Sequence, residues 1–263
     1  MMPENVHVTH GPPGCGKTTW IVEEAGRRAE AGGPSSVLIA SLTRTAAREV
    51  RVRRARILEG RVGTLHSFAY QALGLRQDQV ASMEEMPAAS CLFDDPKAGG
   101  RKVAVCYSFL RSSLVPRMRW PRRVRAFAER WEAWKRERGL VDFDDMLDLA
   151  LDETTCAPGR PRTLYLDECQ DYSPADLRLA LHWARECESL VLVGDMDQCI
   201  FGFRGAGASF FFEVPESRRR VLSQSWRLPR EVHAYAMRWI SKVRRRVDVE
   251  YRPLAWGCSW ATA

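Results

Sequence analysis

Residues 11–18 decide the fold: they read GPPGCGKT, follow a short apolar stretch containing Val6 and Val8, and open a segment of helical character. Glycines in such a loop let successive backbone N–H groups turn toward phosphates. Lys17 can reach the β and γ oxygens, and the Thr18 hydroxyl can ligate Mg²⁺. The strand before the loop and the helix after it favour this interpretation over a glycine-rich turn without a ligand. The sequence therefore predicts binding of a nucleoside triphosphate.

Short apolar runs recur along the chain and are separated by segments of helical period. The runs occupy residues 37–42, 62–65, 164–166 and 190–193. Such alternation is typical of a parallel sheet covered by helices, so we expect an α/β fold. Gly32, Gly33 and Pro34 predict the end of the first helix, because glycine and then proline commonly follow a helix C-terminus.

The alternation is interrupted over residues 74–139, where we expect a small helical insertion. Val124, Phe127, Trp131 and Trp134 recur there at three- and four-residue spacing among many charged residues. This stripe favours core packing over a base-stacking surface, because one face of a helix must be buried. The arginines on its other face could line a nucleic-acid path or be solvated.

Three parts of the chain are therefore expected. Residues 1–73 and 140–215 would form an ATP-binding unit, residues 74–139 the helical insertion, and residues 216–263 the incomplete start of a second domain.

Composition limits the class of protein. The 263 residues carry a net charge of +7, with arginine dense in 111–138 and 218–252. This surplus suits a polyanion partner or a solvated surface equally well. The eight cysteines form no C-x-x-C pair, which argues against zinc and a disulfide framework and favours the cytosol. No apolar run is long enough to cross a bilayer, so no membrane association is expected.

Adjacent carboxylates follow a second apolar run, in the string LYLDE at residues 164–168. Asp167 at a strand end can hold the Mg²⁺ of a nucleotide, and Glu168 can orient and deprotonate the attacking water. Acidic pairs after strands also occur as ordinary helix N-terminal charges. The phosphate loop upstream favours the nucleotide interpretation.

The order of motifs resembles that of the UvrD/Rep/PcrA-type superfamily 1 DNA helicases, over roughly residues 6 to 235. The matching strings are GPPGCGKTT, LIASLTRTAAREV, VGTLHSFAYQAL, DFDDMLDLAL, LYLDECQDYSPADLRLA, LVLVGDMDQCIFGFRGA and VLSQSWRLPREV. The resemblance implies a RecA-like P-loop NTPase fold. It also implies ATP-dependent movement along DNA, in the 3′ to 5′ direction, with strand separation.

The resemblance implies roles for individual residues of the nucleotide site. Lys17 would bind the phosphates, Glu168 would act as catalytic base, and Gln198 would sense the γ-phosphate. Arg227 would contact the γ-phosphate, and Trp226 would stack on adenine. The residues predicted to bind ATP are Gly11, Gly14, Cys15, Gly16, Lys17, Thr18 and Thr19. Thr18 and Asp167 are predicted to bind Mg²⁺.

For single-stranded DNA, or DNA with a single-stranded overhang, the resemblance implies contacts from three loops. They supply Leu42, Thr43, Thr64, His66, Phe203 and Arg204. Phe203 stands where an aromatic ring stacks on a base, a contact worth about 1–3 kcal/mol. His66 could bind the strand, link it to the ATP site, or be a structural histidine.

The sequence departs from the family pattern in three places. Only five residues precede Val6, and none is the glutamine with which family members read adenine. Leu42 stands where an aromatic residue commonly stacks on DNA. The later family motifs, including the arginine finger, are not in the sequence.

We therefore expect the N-terminal motor half of a DNA helicase that uses ATP and Mg²⁺. The rest of the second domain would either be supplied by a separate polypeptide or be lacking because this is a shortened gene product. One alternative is an ATP-binding, DNA-binding module without unwinding activity. A small-molecule P-loop kinase is a third class, but it has no use for residues 198–206.

Overall fold

The computed structural model describes residues 2–42, 58–81, 100–199, 210–243 and 249–254. Six strands form one all-parallel sheet with the order β3-β2-β4-β5-β1-β6. The α/β fold expected from the sequence is thereby confirmed. The strands are β1 (Val6–His10), β2 (Val37–Ser41), β3 (Val62–Gly63), β4 (Thr163–Asp167), β5 (Ser189–Gly194) and β6 (Arg219–Val221).

The central strands are buried on both faces, which explains why they read as continuous apolar runs. Every residue of β2, β4 and β5 is buried. Alternate residues feed two cores, one on each face of the sheet. Leu38, Leu166 and Trp183 belong to one core, and Ile21, Ile39 and Tyr165 belong to the other.

Helices cover both faces of the sheet. They are α1 (Lys17–Gly32), α2 (Leu65–Ala72), α3 (Gly100–Ser112), α4 (Arg122–Arg138), α5 (Phe143–Glu153), α6 (Pro174–Ala184), α7 (Phe210–Glu213) and α8 (Arg230–Ile240). α1 packs on one face, and α2, α5 and α6 contribute to the core on the other. α1 ends at Gly32, as Gly33 and Pro34 predict.

The apolar run at residues 62–65 forms less strand than its composition predicts. β3 stops at Gly63 because Thr64 caps α2: its side chain accepts a hydrogen bond from the Ser67 backbone N–H, and Ser67 Oγ accepts from the Thr64 N–H. This reciprocal capping turns Leu65 into the first helical residue. An apolar pattern alone does not distinguish the two outcomes.

The aromatic stripe of α4 forms a small core between α3 and α4, as the sequence favours. Tyr107, Phe127 and Trp131 are fully buried there, and Trp120 closes one side. Trp134 stacks on Trp131 with ring centroids 5.1 Å apart. These rings serve packing, so the stripe is not an open base-stacking surface.

A buried group of charges joins α3 and α4 to the start of α5. Lys135 Nζ contacts the carboxylates of Asp142 and Asp145, and Arg111 donates to Asp145 at 2.6 Å and to Asp148 at 2.6 Å. Trp131 Nε1 also donates to Asp142, at 2.8 Å. The helical insertion and α5 are therefore held together by ion pairs and by packing.

β6 pairs with β1 and completes the sheet. The expected start of a second domain at residue 216 therefore falls before the last strand of the first sheet. α8 follows and has no buried residue, while Tyr235 and Trp239 are exposed. Among the described helices, none combines the length and the apolar character needed to span a membrane.

Candidate nucleotide site and nucleic-acid interface

All six strands run in the same direction, so their carboxyl ends meet at one edge of the sheet. The loop of residues 11–16 leaves β1 there. Asp167 is the last residue of β4, and Asp195 directly follows β5. Motifs far apart in the sequence are thereby gathered at one edge, where open α/β sheets bind ligands.

The loop after β1 has the backbone geometry that its glycines allow. Gly14 and Gly16 adopt φ values of 77° and 75°, in the left-handed region that side chains disfavour. α1 then begins at Lys17, whose buried ammonium donates to the Gly11 carbonyl at 3.1 Å. Cys15 is buried, and burial raises its pKa to about 11, so the thiol stays protonated at neutral pH.

The two acidic residues after β4 lie against this loop. Thr18 Oγ1 donates to Asp167 Oδ2 at 3.3 Å, and Lys17 Nζ lies 3.7 Å from Glu168 Oε2. The pKa of Asp167 is raised to about 7, chiefly by burial and also by the neighbouring Glu168 carboxylate, against the lowering effect of Lys17. Two crowded carboxylates beside an ammonium and a hydroxyl form a site that a cation would stabilise.

These side chains suit Mg²⁺ bound together with a triphosphate. The described residues contain no group of three or more His, Cys, Asp or Glu side chains able to hold a metal ion. A nucleotide-bound Mg²⁺ needs fewer protein ligands, because phosphate oxygens and water complete its shell. The Thr18 hydroxyl and the Asp167 carboxylate are hard oxygen ligands of the required kind.

A turn after β5 lies beside the acidic pair. Gln198 Nε2 donates to Asp195 Oδ2 at 2.5 Å, and His10 Nε2 lies 3.6 Å from Asp195 Oδ1. Gln170 donates to Glu168 Oε2 at 2.9 Å and accepts from the Asp195 N–H at 3.0 Å. The predicted γ-phosphate sensor Gln198 is therefore connected to the acidic pair through Asp195 and Gln170.

Residues that follow β6 lie on the phosphate loop. The buried Ser225 hydroxyl donates to the Pro13 carbonyl at 3.1 Å, and the Trp226 N–H donates to the Gly14 carbonyl at 2.9 Å. Tyr251 also donates to Pro13 O, at 2.8 Å. Trp226 is 72% exposed, and Arg227 is exposed beside it. Both side chains thus stand at the rim of the loop, where the sequence predicts contacts with adenine and the γ-phosphate.

The residues expected to bind DNA follow β2 and β3 at the same edge of the sheet. Leu42 packs partly buried against the core, and Thr64 caps α2. His66 Nδ1 lies 3.8 Å from Asp176 Oδ1, and its ring meets the exposed Phe143 edge-on at 5.7 Å. The predictions for Thr43, Phe203 and Arg204 concern positions outside the described residues.

Sequence reasoning missed several residues of this edge. Gln170, Asp195 and Ser225 lie inside the helicase-like motif strings, but the sequence assigned roles only to other residues of those strings. Their position within the motifs was the signal that could have identified them. Phe143 lies in the string DFDDM, where an aromatic residue at the start of a helix is typical of core packing. Tyr251 had no signal, because its contact with Pro13 spans 238 residues of sequence.

Comparison with known proteins agrees with this arrangement. UvrD2 of Mycobacterium tuberculosis (strain ATCC 25618 / H37Rv), an ATP-dependent DNA helicase, is 32% identical over 119 residues, which are 41% of this chain and 17% of the relative. PcrA of Leuconostoc citreum, also an ATP-dependent DNA helicase, is 33% identical over 98 residues, or 33% of this chain and 13% of the relative.

YjcD of Bacillus subtilis (strain 168) is 25% identical over 236 residues, or 76% of this chain. The chain spans less than a third of the length of these relatives, 31% in the case of YjcD. The resemblance to UvrD/PcrA-type helicases over the N-terminal part of the chain is thereby confirmed. An AAA domain matches residues 1–204, most of the sequence, and the chain therefore belongs to the AAA domain family.

Proposed function

We propose that this chain forms the ATP-binding half of a superfamily 1 DNA helicase, which hydrolyses ATP while it moves along single-stranded DNA. The observation that carries the proposal is the pair of contacts from the phosphate loop to the acidic pair: Thr18 to Asp167 at 3.3 Å and Lys17 to Glu168 at 3.7 Å. The named relatives UvrD2 and PcrA are ATP-dependent DNA helicases, which supports the coupling to DNA.

In this proposal each residue of the nucleotide site has a defined task. The amides of residues 11–16 and the Lys17 ammonium bind the phosphates, while the Cys15 side chain of the same loop is buried. Thr19 contributes to phosphate binding from the first turn of α1. Thr18 and Asp167 hold Mg²⁺, which when bound offsets negative charge on the phosphates. Trp226 and Arg227 approach the base and the γ-phosphate from the rim.

Hydrolysis needs only the transfer of a phosphoryl group to water. The water oxygen forms a bond to the γ-phosphorus as the bond from that phosphorus to the bridging oxygen breaks, and the water proton passes to Glu168. ADP leaves with the electron pair of the broken bond. Gln198 senses the γ-phosphate and relays its loss through the turn after β5.

The DNA path is proposed along the carboxyl ends of β2 and β3, next to the nucleotide site. Leu42, Thr43, Thr64 and His66 would line it together with Phe203 and Arg204. The exposed ring of Phe143 against His66 adds an aromatic surface, and such rings bind bases without regard to sequence. By resemblance the strand is followed from 3′ to 5′.

The organisation of the chain also belongs to this proposal. The ATP-binding unit comprises residues 1–73 and 140–215 together with the edge strand β6, and residues 74–139 form a helical accessory unit. The residues after β6 begin a second motor domain.

ATP hydrolysis by the purified chain tests the proposal, measured with and without single-stranded DNA. We expect DNA-stimulated hydrolysis by the wild type and at least a hundredfold lower kcat in Lys17→Ala, because the phosphates lose their ammonium. Arg162→Ala serves as the control, since Arg162 pairs with Glu188 on the exposed surface.

Two results would contradict the proposal. Unchanged hydrolysis in folded Lys17→Ala would remove the nucleotide site from the loop. DNA binding without any DNA-stimulated hydrolysis in the wild type would favour a binding module instead of a motor half.

A further inference from the structure

Gln170 is a buried side chain between the proposed base and the turn that carries Gln198. It is 2% exposed and lies two residues after Glu168. Its amide nitrogen donates to Glu168 Oε2 at 2.9 Å and to Asp171 Oδ2 at 3.2 Å. Its amide oxygen accepts from the Asp195 N–H at 3.0 Å. One side chain thus connects residues after β4 with residues after β5.

The orientation of this amide is dictated by its surroundings. The Asp195 backbone N–H is a donor, so the group facing it must be the amide oxygen. The amide nitrogen must then face Glu168 and Asp171, whose carboxylates accept hydrogen bonds. A flipped amide would place donor against donor and oxygen against carboxylate, and would lose all three hydrogen bonds.

The end of β5 is shaped to admit Gln170. A Cβ on Gly194 would lie 2.3 Å from Gln170 Oε1 and 2.8 Å from Cys169 Sγ. Side chains do not approach that closely, so glycine at residue 194 allows the amide to reach the Asp195 N–H. The close fit fixes Gln170 relative to the turn over residues 195–198.

Within the described part of the chain, the amide of Gln170 makes the one hydrogen bond seen to the Glu168 carboxylate. The Glu168 backbone adopts φ 53°, in the left-handed region, and its side chain is 37% exposed. The Lys17 ammonium lies 3.7 Å from Glu168 Oε2, which is longer than a hydrogen bond. The direction of the carboxylate therefore depends largely on the amide of Gln170.

We propose that Gln170 is a positioning residue, which aims the Glu168 carboxylate at the attacking water and makes that aim depend on the turn that carries Gln198. The inference rests on the proposed function of Glu168 as base. A displacement of the turn over residues 195–198 is passed to the amide of Gln170 through its hydrogen bond from the Asp195 N–H. The amide then passes it to the Glu168 carboxylate through its second hydrogen bond. Gln170 thus couples the γ-phosphate sensor to the base without touching ATP.

A double-mutant cycle in ATP hydrolysis tests this inference in the purified chain with saturating single-stranded DNA. Gln170→Met keeps the length of the side chain and removes its hydrogen bonds. We expect its kcat to fall at least tenfold while KM for ATP changes less than threefold. Combined with Glu168→Gln, which should itself abolish most hydrolysis, Gln170→Met should reduce kcat less than twofold further.

Two further variants separate positioning from folding. Gln170→Asn keeps the amide but is one methylene shorter, so it cannot span both partners; we expect a lower kcat with unchanged ATP binding. Gln79→Met is the matched control, because Gln79 accepts from the Arg76 N–H far from the site. It should leave kcat unchanged.

The possible failures are distinguishable. If Glu168→Gln retains full hydrolysis, the proposed function of Glu168 is wrong. If Glu168→Gln is inactive but Gln170→Met and Gln170→Asn keep wild-type kcat, the positioning role is wrong. Equal losses from Gln170→Met in both backgrounds would also overturn it, because Gln170 would then act independently of Glu168.

Discussion

Gly14 shows how closely the phosphate loop and the residues after β6 fit together. A Cβ at this position would lie 2.6 Å from Arg227 Cβ and 2.8 Å from Ser225 Oγ. The left-handed backbone of Gly14 also disfavours any side chain there. One glycine therefore serves two purposes: it turns the loop, and it leaves room for the segment that carries Trp226 and Arg227.

These two purposes can be separated by comparing Gly14→Ala with Gly60→Ala. Gly60 has a similar φ, 71°, but nothing within 4 Å of its Cβ position. Gly60→Ala should cost only the backbone strain, about 1–2 kcal/mol of unfolding free energy. Gly14→Ala should show that loss and at least a tenfold weaker ATP affinity, measured by nucleotide titration. Equal ATP affinity in the two variants would contradict the close fit.

The raised pKa of Asp167 predicts how stability depends on pH in the absence of nucleotide. The pKa of Asp167 is about 7 in the folded chain, against the ordinary value of 3.8 that applies to the unfolded chain. Between these values the folded state holds a proton that the unfolded state has released, so the free energy of unfolding falls as pH rises.

Asp167→Asn should therefore stabilise the nucleotide-free chain at pH 8 and do so less at pH 5. Each kcal/mol gained corresponds to a rise in Tm of about 2–4 °C for a chain of this size. Thermal unfolding at both pH values measures the effect, with the exposed Asp152→Asn as control. A lower Tm for Asp167→Asn than for the wild type at pH 8 would show that the folded state prefers the carboxylate.

The helical insertion depends on Lys135. This residue is 3% exposed, and its ammonium lies between Asp142 and Asp145 at the start of α5. Asp142 also caps α5, because its side chain accepts from the Asp145 N–H. Removal of the ammonium would leave the buried Asp142 carboxylate and the half-buried Asp145 carboxylate with Arg111 as their remaining cation, and it would weaken the junction of α4 with α5.

Lys135→Met should accordingly lower the free energy of unfolding by about 3–5 kcal/mol, the usual cost of breaking a buried ion pair on one side. Arg162→Ala removes a pair whose side chains are 63% and 58% exposed, and it should cost no more than about 1 kcal/mol. Urea denaturation of both variants gives the comparison. Similar losses for the two would mean that Lys135 is not held as a buried ion.

Much at this scale could be predicted from sequence, and the exceptions have physical reasons. The continuous apolar runs predicted the central strands, because both faces of a parallel sheet are buried. The length of β3 was overestimated, because the capping of α2 by Thr64 competes with strand formation. Lys17, Thr18 and Asp167 were predicted to share one nucleotide site, and they meet because parallel strands end at one edge. The contacts of Gln170 and Tyr251 depend on side-chain placement, which neither periodicity nor spacing records.

Residues after β6 are attached to the nucleotide loop itself. Ser225 is the centre of this attachment: its hydroxyl donates to Pro13 O and accepts from the N–H groups of Arg227, at 3.3 Å, and Leu228, at 3.0 Å. Tyr251 adds a second bond to Pro13. The position of Arg227 at the rim therefore depends on Ser225.

Ser225→Ala should weaken this attachment and raise KM for ATP. Loss of a hydrogen bond of about 1 kcal/mol corresponds to roughly a fivefold change. Ser225→Thr retains a hydroxyl and should recover part of the affinity. Ser241→Ala removes an exposed hydroxyl at the end of α8 and should change nothing. An unchanged KM in Ser225→Ala, measured by steady-state hydrolysis, would place Arg227 outside the nucleotide site.

The edge strand β6 has a consequence for any attempt to divide this protein into fragments. β1 carries the nucleotide loop, and β6 covers the outer row of its backbone hydrogen-bonding groups. A fragment cut before Arg219 would leave that row open, and open strand edges recruit other chains into aggregates. A cleavage site engineered beyond Val221 would keep the row covered, so soluble half-proteins are best sought with their junction there.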